Sequence, residues 1–186
     1  LGRTLSNGEL LQLSNIDNKE ISEDVYYDVI KQKTAALFEA CAAIGALSAE
    51  ASDEMVEKAK KFGQDLGIAF QIRDDIFDYS DDASIGKPTG NDMKEGKLTL
   101  PVIYALNSTG NAEMLNIANA VKGGEACDAD IKRLVMFTKQ NGGIEYAQKV
   151  MNEYADKAKD ILACYDDSEV KEALFAYVDF VVGRSV

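Results

Sequence analysis

An all-α helical fold is what this sequence predicts, and three observations lead there. Only two prolines occur, Pro88 and Pro101. No run alternates apolar and polar residues between turn signals, as a half-buried strand would. Apolar residues instead recur at helical spacing along the chain, set between serines suited to N-caps and glycines suited to stops.

Taken in order, residues 1–13 read as the end of a helix already in progress, finishing in Gly8-Glu9-Leu10-Leu11-Gln12-Leu13. A polar connector from Ser14 to Ile21 follows. Ser22 is placed to cap the next helix, with Glu23 and Asp24 in the first turn where the helix dipole favours anions. Val25, Val29, Ala36, Leu37 and Ala40 give that helix its apolar positions, and the small residues of 42–47 permit close helix approach. Ser52, followed by Asp53 and Glu54, caps a helix that runs to about Tyr79. Gly63 and Gly67 lie inside it one turn apart, each costing about 1 kcal/mol relative to Ala. Either a packed helix or a ligand near the backbone would account for them.

From Ser80 to Gly96 the residues are those of a loop, with Gly86, Pro88, Gly90 and Gly96 punctuating it and Lys87, Lys94 and Lys97 interspersed. A helix resumes over Leu98–Leu106, with Pro101 tolerable in its first turn. Shorter helices follow at about 112–121 and 129–140, the second stopped by Gly142-Gly143. A long amphipathic helix spans Ile144 to about Cys164, and a final one starts at Ser168. No internal repeat, low-complexity segment or domain boundary is visible, so residues 1–186 read as part of one helical domain. The chain opens on Leu1 with a helix under way, which leads to the expectation that a longer protein precedes it.

Composition narrows the function. The chain has 186 residues, 46% of them hydrophobic, enough for a substantial core. A net charge of −12 argues against nucleic acid as a partner, because phosphate backbones need a basic surface. Cys41, Cys127 and Cys164 are odd in number and widely spaced, which fits a reducing, cytoplasmic setting. With no histidine, imidazole bases, His-based triads and the usual zinc sites are excluded. No run approaches the roughly 18 apolar residues of a membrane-spanning helix.

Chemistry concentrates at residues 67–78, GIAFQIRDDIFD. On a helix, Gln71, Asp74, Asp75 and Asp78 fall at i, i+3, i+4 and i+7 and share one face. Ile68, Ile72, Ile76 and Phe77 mark the same helix as core. Carboxylates at this spacing repel by a few tenths of a kcal/mol per pair, so an apolar helix carrying three of them calls for a cation, the alternative being a solvated acidic face. Mg²⁺ suits the donors, since it takes one or two carboxylates and fills its shell with water and phosphate oxygens. An EF-hand loop starting at Asp78 fails, because its glycine position holds Ala83 and its closing acid position holds Thr89. Lys87 and Lys97 could neutralise a diphosphate as point charges, or simply be solvated. Lys33-Thr34 stands mid-helix, where Thr is a poor choice unless its hydroxyl is used or the helix bends. Gly8-Glu9-x-x-Gln12 is a polar pair in an apolar helix end.

Together these stretches resemble the trans (E-type) polyprenyl diphosphate synthases. Gly67-x-x-Phe70-Gln71-Ile72-x-Asp74-Asp75-Ile76-x-Asp78 is similar to that family's second aspartate-rich motif. Gly86-Lys87-Pro88-x-Gly90-x-Asp92-x-x-Glu95-Gly96-Lys97-x-Thr99-Leu100-Pro101 resembles its polyprenyl-branch loop, with Lys33-Thr34-Ala35 and Gly8-Glu9-x-x-Gln12 in the expected order upstream. The resemblance implies a helical bundle of the isoprenoid synthase type, incomplete at its N-terminus. It implies a prenyltransferase condensing an allylic diphosphate with isopentenyl diphosphate, with Mg²⁺ as cofactor and a homodimer as the intact form. Asp74 would be the direct metal ligand, supported by Asp75 and Asp78. Lys33, Lys87 and Lys97 would bind the leaving diphosphate, Thr34 and Gln71 would face the carbocation, and Phe70 and Gln12 would belong to the substrate sites. The family's first aspartate-rich motif has no counterpart here, so this chain alone is expected to be inactive. A terpene cyclase fits less well, because DDxxD stands where a cyclase carries Asn/Asp, Ser/Thr and Glu; a non-catalytic partner subunit or structural helical module is the remaining alternative.

Overall fold

The computed structural model describes residues 1–15, 21–80 and 89–183, and all regular structure among them is helical. In chain order these are α1 (Gly2–Ser14), α2 (Glu23–Ile30), a π-helical turn (Lys31–Ala35), α3 (Ala36–Ser48), α4 (Asp53–Phe77), α5 (Asn91–Lys94), α6 (Leu100–Thr109), α7 (Ala112–Lys122), α8 (Asp128–Gln140), α9 (Gly143–Ala163) and α10 (Glu169–Gly183). They sort into two compact units.

The first unit comprises Leu1–Leu10, Asp28–Arg73 and the described residues from Val150 to Gly183. Leu66 of α4, Ala155, Ala158 and Leu162 of α9, and Val178 and Val181 of α10 form its core, with Phe38, Phe62, Phe70 and Leu174 packed against them. Gly63 and Gly67 are explained by helix packing. A Cβ on Gly63 would stand 2.5 Å from the Phe38 carbonyl oxygen, and one on Gly67 would stand 2.7 Å from Cα of Ala35. Both glycines let α4 lie directly on the backbone of residues 35–39.

The second unit comprises Leu11–Tyr27 and Asp74–Lys149. Its core joins Tyr79 and Met93 to Val102 and Leu106 of α6, Met114, Ile117 and Val121 of α7, and Ile131, Leu134 and Val135 of α8. Pro101 falls in the first turn of α6, where its missing N–H is harmless. Asn111 caps α7 by accepting from the Met114 amide at 3.1 Å.

Three local readings of the sequence need correcting. The helix expected from Ser22 past Ala40 is interrupted by the five-residue π turn, which inserts an extra residue and shifts the apolar face. Ala35 is buried and Leu37, read as apolar-face, is 48% exposed. The stretch read wholly as loop up to Gly96 contains the short helix α5, whose Met93 is buried. Gly143 does not stop α8 but begins α9, and a Cβ there would overlap the Pro101 carbonyl oxygen. A glycine needed for close packing and one needed for a turn look alike in sequence.

Candidate active site

In the first unit the π turn is the organising feature. Lys33 and Thr34 sit within it, and π turns recur at functional sites because the extra residue re-aims its neighbours. The Thr34 hydroxyl donates to Oε1 of Gln71 at 2.7 Å. The mid-helix threonine therefore uses its hydroxyl and stands in an irregular turn of its helix. Lys33 Nζ lies 2.8 Å from Glu9 Oε2, with both side chains partly exposed. Such a pair contributes about 1 kcal/mol or less, so it holds Lys33 in place without locking it. Gly8 makes the approach possible, since a Cβ there would come within 2.7 Å of the Lys33 nitrogen. The Gly8-Glu9 pair is thus a seat for Lys33. Phe70, half-buried on α4, packs against Phe38 with ring centroids 5.2 Å apart.

In the second unit the three aspartates of the stripe have different environments. Asp74 is half-buried, whereas Asp75 is only 3% exposed. Oδ2 of Asp75 accepts a hydrogen bond from the Tyr26 hydroxyl at 2.6 Å. Burial, and then the charge of Asp75, push the Tyr26 hydroxyl well above its ordinary pKa, so it stays protonated and remains a donor. Asp78 lies one residue beyond the end of α4 rather than inside the expected helix. Its Oδ1 accepts from the Asn91 amide at 2.8 Å, its Oδ2 from the Asp92 amide at 3.1 Å, and its carbonyl from the Gly90 amide at 2.9 Å. Lys97 Nζ pairs with Glu95 Oε2, and the Lys97 amide donates to the Asp92 carbonyl at 2.9 Å. Lys87 lies outside the described residues. Gln12 is half-buried on α1.

Sequence reasoning missed Tyr26. The only signal was an aromatic residue next to the apolar position Val25; nothing local says that its hydroxyl meets a residue 49 positions on. An apolar cavity of about 540 Å³ in the first unit, lined by Ala42, Gly45, Ala46, Ala59 and Phe62 among others, contains none of the expected site residues.

The donor set can be tested against the ion expected from the sequence. Among the described residues no three metal-ligating side chains converge into a closed cage. Hard oxygen donors such as the half-buried Asp74 carboxylate fit Mg²⁺ whose shell is completed by water and diphosphate oxygens. They do not fit a structural zinc, which needs Cys or His.

The all-α fold thus carries, in chain order, the Thr34–Gln71 pair, the aspartates at 74, 75 and 78, and the segment bearing Lys97. The sequence pattern of the Polyprenyl synthetase family matches residues 2–137, and the chain belongs to that family. It is 35% identical over 183 residues to a geranylfarnesyl diphosphate synthase of Aeropyrum pernix, a match covering 97% of this chain and 56% of that protein. Among solved structures it is similar to a geranylgeranyl pyrophosphate synthase from Bacteroides thetaiotaomicron, with 55% identity and a TM-score of 0.95 over 98% of this chain and 61% of that one. A polyprenyl synthase from Caulobacter crescentus CB15, complexed with calcium and isoprenyl diphosphate, matches at 35% identity and a TM-score of 0.87, over 98% of this chain and 56% of that one. The fold is thus the all-α isoprenoid synthase fold. The chain spans little more than half the length of the curated relatives it matches.

Proposed function

We propose that the protein to which this chain belongs is a trans-polyprenyl diphosphate synthase, joining an allylic diphosphate to isopentenyl diphosphate. The C–O bond to the allylic diphosphate breaks, a C–C bond forms between the cation and the isopentenyl double bond, and the released diphosphate takes the proton that is lost. Asp74 holds Mg²⁺, with Asp75 and Asp78 in support; when bound, the ion supplies charge that stabilises the departing diphosphate. Lys33, Lys87 and Lys97 bind diphosphate oxygens as point charges. Thr34 and Gln71 present oxygen dipoles toward the allylic cation. Phe70 and Gln12 contribute to the substrate pockets.

The observation that carries this reading is the placement of Gln71, Asp74 and Asp75 on consecutive turns of α4, followed directly by Asp78, in a chain of this family. Isothermal titration with inorganic diphosphate tests it. Binding should require Mg²⁺ and disappear in Asp74→Ala; binding that ignores both overturns it. This chain alone lacks a facing carboxylate motif, so it should not elongate prenyl chains, and turnover of labelled isopentenyl diphosphate by the purified 186-residue chain would refute that. The same reading expects a cytoplasmic homodimer for the intact protein. No described helix is long and apolar enough to cross a membrane.

A further inference from the structure

Three consecutive backbone amides converge on one residue. The N–H of Gly90 points at the Asp78 carbonyl, that of Asn91 at Oδ1 and that of Asp92 at Oδ2, at 2.9, 2.8 and 3.1 Å. Gly90 makes the concavity, with φ +80 followed by right-handed helix, the alternation that turns successive N–H groups inward. Only glycine fits there, because a Cβ would come 2.8 Å from Ile131 Cγ2. The segment is pinned from below by buried Met93 and closed by Gly96, also at positive φ, so that the Lys97 amide returns to the Asp92 carbonyl at 2.9 Å. A continuous line therefore runs from the Asp78 carboxylate through the Asp92 peptide to the backbone of Lys97.

We propose that Asp78 is a positioning residue: its carboxylate anchors the 90–97 segment and so sets where Lys97 and Asp92 stand, while the cation is left to its neighbours on α4. Both of its oxygens face the positive ends of peptide dipoles, which compensate the carboxylate charge and oppose a cation arriving at the same oxygens. Mg²⁺ demands near-octahedral ligands at roughly 2.0–2.1 Å, a poor match for oxygens already aligned on two amides. The proposal rests on the reading of Asp74 and Lys97 as parts of a Mg²⁺–diphosphate site.

Hydrogen exchange together with Mg²⁺ titrations of inorganic diphosphate binding tests the assignment. Asp78→Asn should speed exchange of the 90–92 amides by about tenfold or more, leaving the α9 amides unchanged. It should weaken diphosphate binding by about tenfold without raising the Mg²⁺ concentration for half-saturation, whereas Asp74→Asn should raise it. Gly90→Ala leaves every carboxylate in place, and should reproduce both Asp78→Asn effects; it carries the test if Asp78→Asn does not fold. The proposal is overturned if Asp78→Asn raises the Mg²⁺ requirement as Asp74→Asn does, or if amide exchange stays at the wild-type rate in either nest variant. Should Asp74→Asn leave the Mg²⁺ requirement unchanged, the Mg²⁺–diphosphate reading fails instead, and the exchange result still reports on the anchor.

Discussion

The Tyr26 hydroxyl donates to Oδ2 of Asp75 across 2.6 Å in a buried setting, joining the start of α2 to the aspartate stripe. Asp75 is the one member of the stripe shielded from water, so its charge depends on partners the protein supplies. Tyr26→Phe keeps the ring packing and removes the donor. It should lower stability by about 1–3 kcal/mol, the cost of losing one hydrogen bond to a buried charged group. For a chain of this size that is a fall of roughly 2–12 °C in Tm by calorimetry. An unchanged Tm would mean that Asp75 does not need the bond.

Thr34→Val replaces the hydroxyl by a methyl of similar shape and abolishes the 2.7 Å bond to Gln71. Urea unfolding should report a loss of about 1 kcal/mol, with Thr34→Ser restoring most of it. If Val and Ser behave alike, the hydroxyl is not what holds the π turn.

Glycines inside helices usually gain from substitution by Ala, and this protein should split them. A Cβ added to Gly45 of α3 would meet nothing within 4 Å, so Gly45→Ala should stabilise by roughly 0.4–1 kcal/mol. Gly63→Ala would press a methyl onto the Phe38 carbonyl at 2.5 Å and should destabilise by about 1–3 kcal/mol. Denaturant midpoints of opposite sign are the expected result.

Metal removal gives a fourth prediction. With Mg²⁺ and diphosphate at about 100 times their dissociation constant, binding adds about 2.7 kcal/mol, or roughly 5–11 °C of Tm. A chelator should erase the shift, as should Asp74→Ala. Persistence of the shift in the presence of chelator would show that diphosphate binds without the ion.

Much of the fold was legible because helix signals are local: caps at Ser22 and Ser52, Pro101 at a first turn, apolar residues every third or fourth position. Gln71, Asp74 and Asp75 were legible as neighbours for the same reason, since a helix fixes which side chains are neighbours, whereas Asp78 falls one residue past the helix end. What the sequence did not disclose depends on distant chain. Tyr26 lies 49 residues from Asp75, and the amides that hold Asp78 lie 13 and 14 residues beyond it. The π turn was half-legible: Thr34 signalled an irregularity, but an inserted residue leaves no mark in an apolar pattern, so the face was carried through to Leu37 in the wrong phase.

That inserted residue sets local regularity against the contacts made further along the chain. Deleting one residue from Lys31–Ala35 would produce a straighter, more conventional helix and rotate everything after it by about 100°. Phe38 would leave its place beside Phe70, and the backbone on which Gly63 and Gly67 rest would present different atoms. A library screened for helical content alone would favour the deletion; one screened for diphosphate binding should never recover it.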